Sequence, residues 1–189
     1  MQFKPITAIV VLTLVVASLL ASGCTSQNTA SNAPSGHSML LEQFSANTKQ
    51  VIYSSVSNVN VTANSSINVT AWDVIWNNET SVTVLFSIKG AEGNKTNTIS
   101  GNQTAMTLPT TSAASDYLSA LDKTKYTLVS TDYKNDNSTG WYYNATGHYP
   151  NVYKEYQYSE GGWLFSYETR HRIQQYDNLI VVTLGTISY

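Results

Sequence analysis

The sequence predicts an α+β fold: a two-layer domain in which an antiparallel β-meander sheet packs against one or two helices. Two periodicities and the turn chemistry predict it. Val82, Val84, Phe86 and Ile88 alternate strictly through residues 81–88, the period of a strand with one buried face. Leu40, Leu41, Phe44, Val51 and Ile52 recur instead at helical spacing. Beyond residue 126, aromatic and β-branched runs are separated by short stretches of Asn, Asp and Gly, with Pro150 in one of them. That pattern suits consecutive antiparallel strands with few helices.

Taken in order, the first helix starts near Ser38, whose hydroxyl can cap it. From Val56 the period changes to two, and Val59, Val61 and Ala63 alternate before Asn64-Ser65-Ser66 turns the chain. A strand over 67–76 follows, with Trp72, Val74 and Trp76 on one face, and residues 77–80 turn into the strand over 81–88. Gly90, Gly93 and Gly101 then interrupt the pattern, and residues 90–110 fit either a hairpin or a long loop. Residues 111–123 read as the second helix, capped by Thr111 or Ser112, with Ala114, Tyr117, Leu118 and Leu121 as its buried stripe. The strands expected after it are 126–133, 141–147, 152–158, 163–176 and 179–188.

The last two strands allow a register to be written down. Asp177 and Asn178 both tolerate the positive φ of a two-residue type I′ turn. Such a turn pairs Tyr176 with Leu179, Ile173 with Val182 and His171 with Leu184. Residues 179–184 are apolar at nearly every position, which marks a strand covered on both faces. Phe165, Tyr167, His171 and Ile173 then share a core face with Ile180, Val182 and Leu184. Glu168, Arg170 and Arg172 take the other face as a solvated charge ladder.

Composition narrows the function. A net charge of −2 and only 12% charged residues argue against nucleic acid, which would need a basic face. A single cysteine, Cys24, rules out an internal disulfide. Upstream of it, Lys4 precedes an uncharged apolar run over 6–20, the length of a signal h-region and short for a bilayer-spanning helix. Leu19-Leu20-Ala21-Ser22-Gly23-Cys24 then brings small residues up to the cysteine. This stretch resembles the lipobox of prokaryotic lipoproteins, with Ala21 where Leu is commonest. The resemblance implies cleavage before Cys24 and lipid on its sulfur. Two acyl chains anchor stably where one does not. The alternative is an uncleaved membrane anchor. Both place the remainder on the outer face of the cytoplasmic membrane. Residues 1–23 are therefore the signal peptide. Residues 24–37, small and polar with Pro34 and Gly36, form a flexible tether, and 38–189 form one extracytoplasmic domain.

Residues 67–189 are also similar to domains of the PsbP and Mog1 type. The helix at 112–123 carries the likeness, with Tyr126-Thr127-Leu128-Val129, Gly140-Trp141-Tyr142-Tyr143, and the paired strands through Trp163 and Leu179. That family includes auxiliary and binding proteins and implies no catalytic residues. A LolA-like lipoprotein sheet, which also opens with a helix, is the other resemblance.

Three sets of residues invite functional readings. Asn60, Asn64, Asn68, Asn78, Asn94, Asn102, Asn137 and Asn144 each open an Asn-X-Ser/Thr sequon, which fits an exported surface glycoprotein of the archaeal kind. Trp141, Tyr142, Tyr143, Tyr153, Tyr156 and Tyr158 are candidates for stacking on sugar rings. They crowd too many consecutive positions to be buried on one sheet face. His148 and His171 are the candidates for a hydrolase site. Glu168 and His171 stand three apart, but on a strand that spacing points them to opposite faces, so no metal is expected. No phosphate loop, zinc or nucleophile-elbow motif is present and no cofactor is implied. The reading adopted is a membrane-tethered binding or accessory module of the cell envelope, with polysaccharide or another envelope protein as partner. A surface hydrolase and a structural envelope glycoprotein are the alternatives.

Overall fold

The computed structural model describes residue 36 and residues 38–61, 63–133, 140–162 and 167–188. The segment 1–35 with Cys24, and also His37, Asn137, Trp163 and Phe165, lie outside them. The fold is the α+β domain expected: one antiparallel sheet of seven strands with helices packed against it. In chain order the elements are α1 (Met39–Ser57), β1 (Ser65–Asn78), β2 (Ser81–Glu92), β3 (Lys95–Thr107), α2 (Thr111–Ser119), β4 (Thr127–Ser130), α3 (Gly140–Thr146), β5 (Tyr153–Gly162), β6 (Tyr167–Tyr176) and β7 (Leu179–Ser188).

The strand order is β1-β2-β3-β7-β6-β5-β4. Two meanders, β1 to β3 and β4 to β7, are therefore joined where β3 pairs with β7. The stretch 90–110 resolves into a hairpin turning at Gly93, whose φ of +57° asks for glycine. In β1 the inward residues switch phase, from Ile67 and Val69 to Trp72, Val74 and Trp76. A bulge at Thr70, the extra residue between the pairs Val69–Ile88 and Ala71–Ser87, makes both sets face the same way.

Ser38 caps α1 as expected, its Oγ accepting the Leu40 N–H at 3.2 Å. Leu41, Phe44 and Ile52 of α1 pack on Val82, Val84, Phe86 and Ile88, and Val51 is buried beside them in the helix. The alternation from Val56 forms no strand among the described residues: α1 runs through Ser57, and residues 58–61, 63 and 64 are turn or irregular. Its burial reaches Ser55, so the helix keeps gaining contacts where the β-branched residues begin. α2 is shorter than expected and is capped by Thr110, not Thr111 or Ser112. The Thr110 Oγ1 accepts the Ala113 N–H at 3.1 Å. Ala114 and Leu118 are its buried stripe, and Tyr117 is exposed.

Residues 141–147, expected as a strand, form α3 instead. Trp141 and Tyr142 are both buried, which a strand with one covered face cannot do for neighbours. A helical turn aims both at the core, where Trp141 meets Phe44 and Tyr142 stacks on Tyr176. α1 and α3 thus cover one face of the sheet, and α2 covers the opposite face over β6 and β7, with Ala114 and Leu118 on Ile173 and Ile180. Among the described residues, no helix is long and apolar enough to cross a membrane.

The β6–β7 register matches the expected pairs Tyr176–Leu179, Ile173–Val182 and His171–Leu184, but the turn is not the expected type I′: Asp177 takes a φ of +50° and Asn178 does not take a positive φ. The burial expected of the two faces needs correction. Ile173 and Ile180 are core, but Tyr167, placed with them, is exposed. Glu168, Arg170 and Arg172 are not a solvated ladder. They lie on the face that α1 and α3 cover, and each carboxylate–guanidinium contact there is a made ion pair.

Candidate functional site

The densest polar arrangement is built on Glu155 of β5, a buried carboxylate. Arg172 reaches it from β6 through Nε and a terminal nitrogen, each at 2.8 Å, a bidentate pair. The Tyr153 hydroxyl donates to the same carboxylate at 2.7 Å, as does the Gln157 amide, and Gln174 donates to the Tyr153 oxygen at 3.0 Å. Tyr153 is therefore core and is committed to Glu155. Beside the network, Asn47, Thr48, Gln103, Arg172, Gln174 and Tyr176 border a cavity of about 30 Å³ under α1. That volume suits a water or two, whereas small-molecule sites typically run to about 300–1,000 Å³. The arrangement stabilises a buried charge and offers no room for a substrate.

A second polar centre is Asp177 at the β6–β7 turn. Its Oδ1 accepts the N–H groups of Asn151 and Val152 at 2.8 and 2.9 Å, and its Oδ2 accepts the Tyr142 hydroxyl at 3.0 Å. Burial, and then the Asp177 charge, push the Tyr142 hydroxyl well above the ordinary tyrosine range, so it stays protonated and donating. His148 Nε2 lies 3.9 Å from the same carboxylate. This is the His–carboxylate contact a hydrolase would use. A neighbouring hydroxyl is already engaged: Thr146 Oγ1 lies 2.8 Å from the Tyr142 and His148 carbonyl oxygens, to either of which it can donate, and accepts the His148 N–H. His148 is also exposed on the surface. His171 is half-buried on the α2 side of β6, its ring against Tyr126 and Tyr158. Glu168 pairs across from Ile187 and His171 from Leu184, so the two point to opposite faces. Among the described residues, no group of three His, Cys, Asp or Glu side chains could hold a metal ion.

The six candidate stacking residues divide. Trp141, Tyr142 and Tyr153 are buried and belong to the core. Tyr156 and Tyr158 are half-buried. Lys123 Nζ sits 4.4 Å from the Tyr156 ring centroid, and the Tyr158 hydroxyl donates to Glu160 at 2.8 Å. Tyr143 alone is open, at 43% exposure, and it is not isolated. Tyr149, 50% exposed, lies 4.7 Å from it between ring centroids, and Tyr133 stacks on Tyr149 at 5.0 Å. The sequence singled out Tyr143 but not Tyr133, which reaches the patch from the other side of α3. No periodicity links residues in two different loops.

Of the sequons, Asn60, Asn64, Asn68, Asn78, Asn94 and Asn144 are exposed, and Asn102 is half-buried in β3. No protein-family model matches the chain, and no curated protein or solved structure matches it either.

Proposed function

We propose that the chain is a membrane-tethered extracytoplasmic lipoprotein, anchored through Cys24, that serves as a binding or accessory module of the cell envelope. The tether rests on the apolar run and the small-residue approach to Cys24. The observation that carries binding is the exposed stack of Tyr143 and Tyr149 backed by Tyr133. Tyrosine gives a broad rigid contact at low entropy cost, and a bare aromatic step of this kind suits the C–H face of a sugar ring. Polysaccharide is the partner it favours. The likeness of residues 67–189 to PsbP and Mog1 type domains points to the same class, although Gly140 to Tyr143, one stretch that carries it, is helical. A hydrolase centred on His148 is the second reading, favoured by the 3.9 Å approach to Asp177.

The test is Tyr143→Ala with Tyr149→Ala in affinity electrophoresis through envelope polysaccharide. Retention should fall at least fivefold with Tm unchanged. Equal loss of retention and Tm would make the stack ordinary packing. Mass spectrometry of the mature N-terminus should find residues 1–23 removed and a diacylglyceryl mass on Cys24.

A further inference from the structure

The two edges of the sheet are unequal. β4 closes one side with four residues and a register break between Leu128 and Ser130. Such a short irregular edge gives a foreign strand little to pair with. β1 closes the other side with fourteen residues. Within it, residues 71–76 read Ala-Trp-Asp-Val-Ile-Trp, a β-prone window with one charge and no proline, and Ile75 is 42% exposed. That combination on a free edge is a template for edge-to-edge pairing. The strand's own defences are central: the bulge at Thr70, and Asp73, whose carboxylate takes the Val74 N–H at 2.8 Å.

The sequons flank that centre. Asn64 immediately precedes β1, Asn68 is within it and Asn78 is its last residue, all exposed. Asn94 sits in the turn beside its start, where the Gly93 N–H donates to the Asn64 carbonyl at 3.0 Å. β4 carries no sequon. At Asn78 the local geometry is also organised: its Oδ1 accepts both the Thr80 N–H at 2.8 Å and the Thr80 hydroxyl at 2.9 Å. This folds the sequon into an Asx-turn and leaves Nδ2 unengaged among the described residues.

We propose that Asn64, Asn68 and Asn78 carry N-linked oligosaccharides that sheathe the free edge of β1 and keep copies of this chain from pairing along it. The proposal rests on the export half of the reading above. Attachment needs a polyprenyl-phosphate-linked oligosaccharide as donor. The asparagine Nδ2 forms a bond to the anomeric carbon as the carbon–oxygen bond to phosphate breaks. The phosphate leaves with the electron pair, and one amide proton passes to a base. The attached glycans are bulky and hydrated, and they fill the space a pairing strand would occupy at both ends of the edge.

The experiment uses the full chain isolated from its own cells. Peptide mapping should find oligosaccharide on Asn64, Asn68 and Asn78. The Asn64→Gln/Asn68→Gln/Asn78→Gln variant, and wild-type protein stripped of glycan while folded, should both show at least a twofold rise in light-scattering mass. Asn144→Gln should not. Adding Ile75→Lys to the triple variant should restore the wild-type mass, because a charge on the edge opposes pairing. Bare asparagines at the three positions overturn the proposal, as does stripped protein that stays at wild-type mass. Glycans present on a chain with an unmodified Cys24 would sink the lipid tether and leave this proposal standing.

Discussion

The two meanders hold the same sheet together by different means. In β1 to β3 the face under α1 is mainly apolar, with Thr48 and Gln103 a buried polar pair hydrogen-bonded at 3.1 Å. Val82, Val84, Phe86 and Ile88 lie under α1, while the reverse face carries side chains such as Thr83 and Thr104, hydrogen-bonded to each other at 2.9 Å. In β5 to β7 both faces are covered near the turn, Ile173 and Ile180 on one side and Tyr176, Leu179 and Val181 on the other. Polar groups are buried there too, and Glu155, Arg172, Gln174 and Tyr153 satisfy one another. The N-terminal meander depends mainly on apolar burial, whose loss is graded with the area removed. The C-terminal one depends on a network in which each member requires the others.

The sharpest way to break this contrast is Glu155→Ala or Arg172→Ala. Either leaves a buried partner uncompensated and should cost roughly 3–5 kcal/mol by urea denaturation. Arg172 is only 18% exposed and Glu155 only 6%, so solvent rescues neither. The Glu155→Leu/Arg172→Met double variant should lose far less. A single variant no worse than the double would end the distinction between the halves.

A smaller effect is expected from Gly101→Ala in β3. A Cβ there would sit 2.9 Å from the Leu184 carbonyl oxygen and closer still to the Phe86 ring. Overpacking of this kind costs about 1–3 kcal/mol, read as a lowered denaturation midpoint with an unchanged m-value. Gly101→Ala combined with Phe86→Leu should recover part of it, because the conflict is steric and local.

How much of this was legible depends on range. The β6–β7 register could be written from residues 165–184 because the turn residues and the apolar run are neighbours, and β2 announced itself by alternation alone. The pairing of Arg172 with Glu155 could not be read, because it joins different strands and depends on what covers their shared face. Trp141, Tyr142 and Tyr143 suit a strand by propensity, but Phe44 and Tyr176, far away in sequence, reward a helix. Of the candidate site, Tyr143 was visible and Tyr133 was not, since Tyr133 joins the patch only through Tyr149, a contact the fold makes.

The smallest effect sharpens the comparison by pH. Tyr142→Phe removes the donor to Asp177 and should cost about 1 kcal/mol at neutral pH. The folded chain holds the Tyr142 proton more tightly than the unfolded chain, whose value is near 10.0. The hydroxyl's contribution is therefore fully present below that pH and is lost as the pH rises beyond it. Wild-type stability should fall more steeply than that of Tyr142→Phe above pH 10.0, measured by chemical denaturation across that range.

β7 follows every other strand in the sequence yet lies in the middle of the sheet, between β3 and β6. While the chain is being made, both of its neighbours wait with one side unpaired, and the two halves share no ladder. Thr98 must then find Ser188 and Thr107 must find Leu179, contacts of long sequence separation that come after a large loss of chain entropy. Pairing of such long range puts the whole sheet among the topologies expected to fold in milliseconds to seconds, slower than either meander alone.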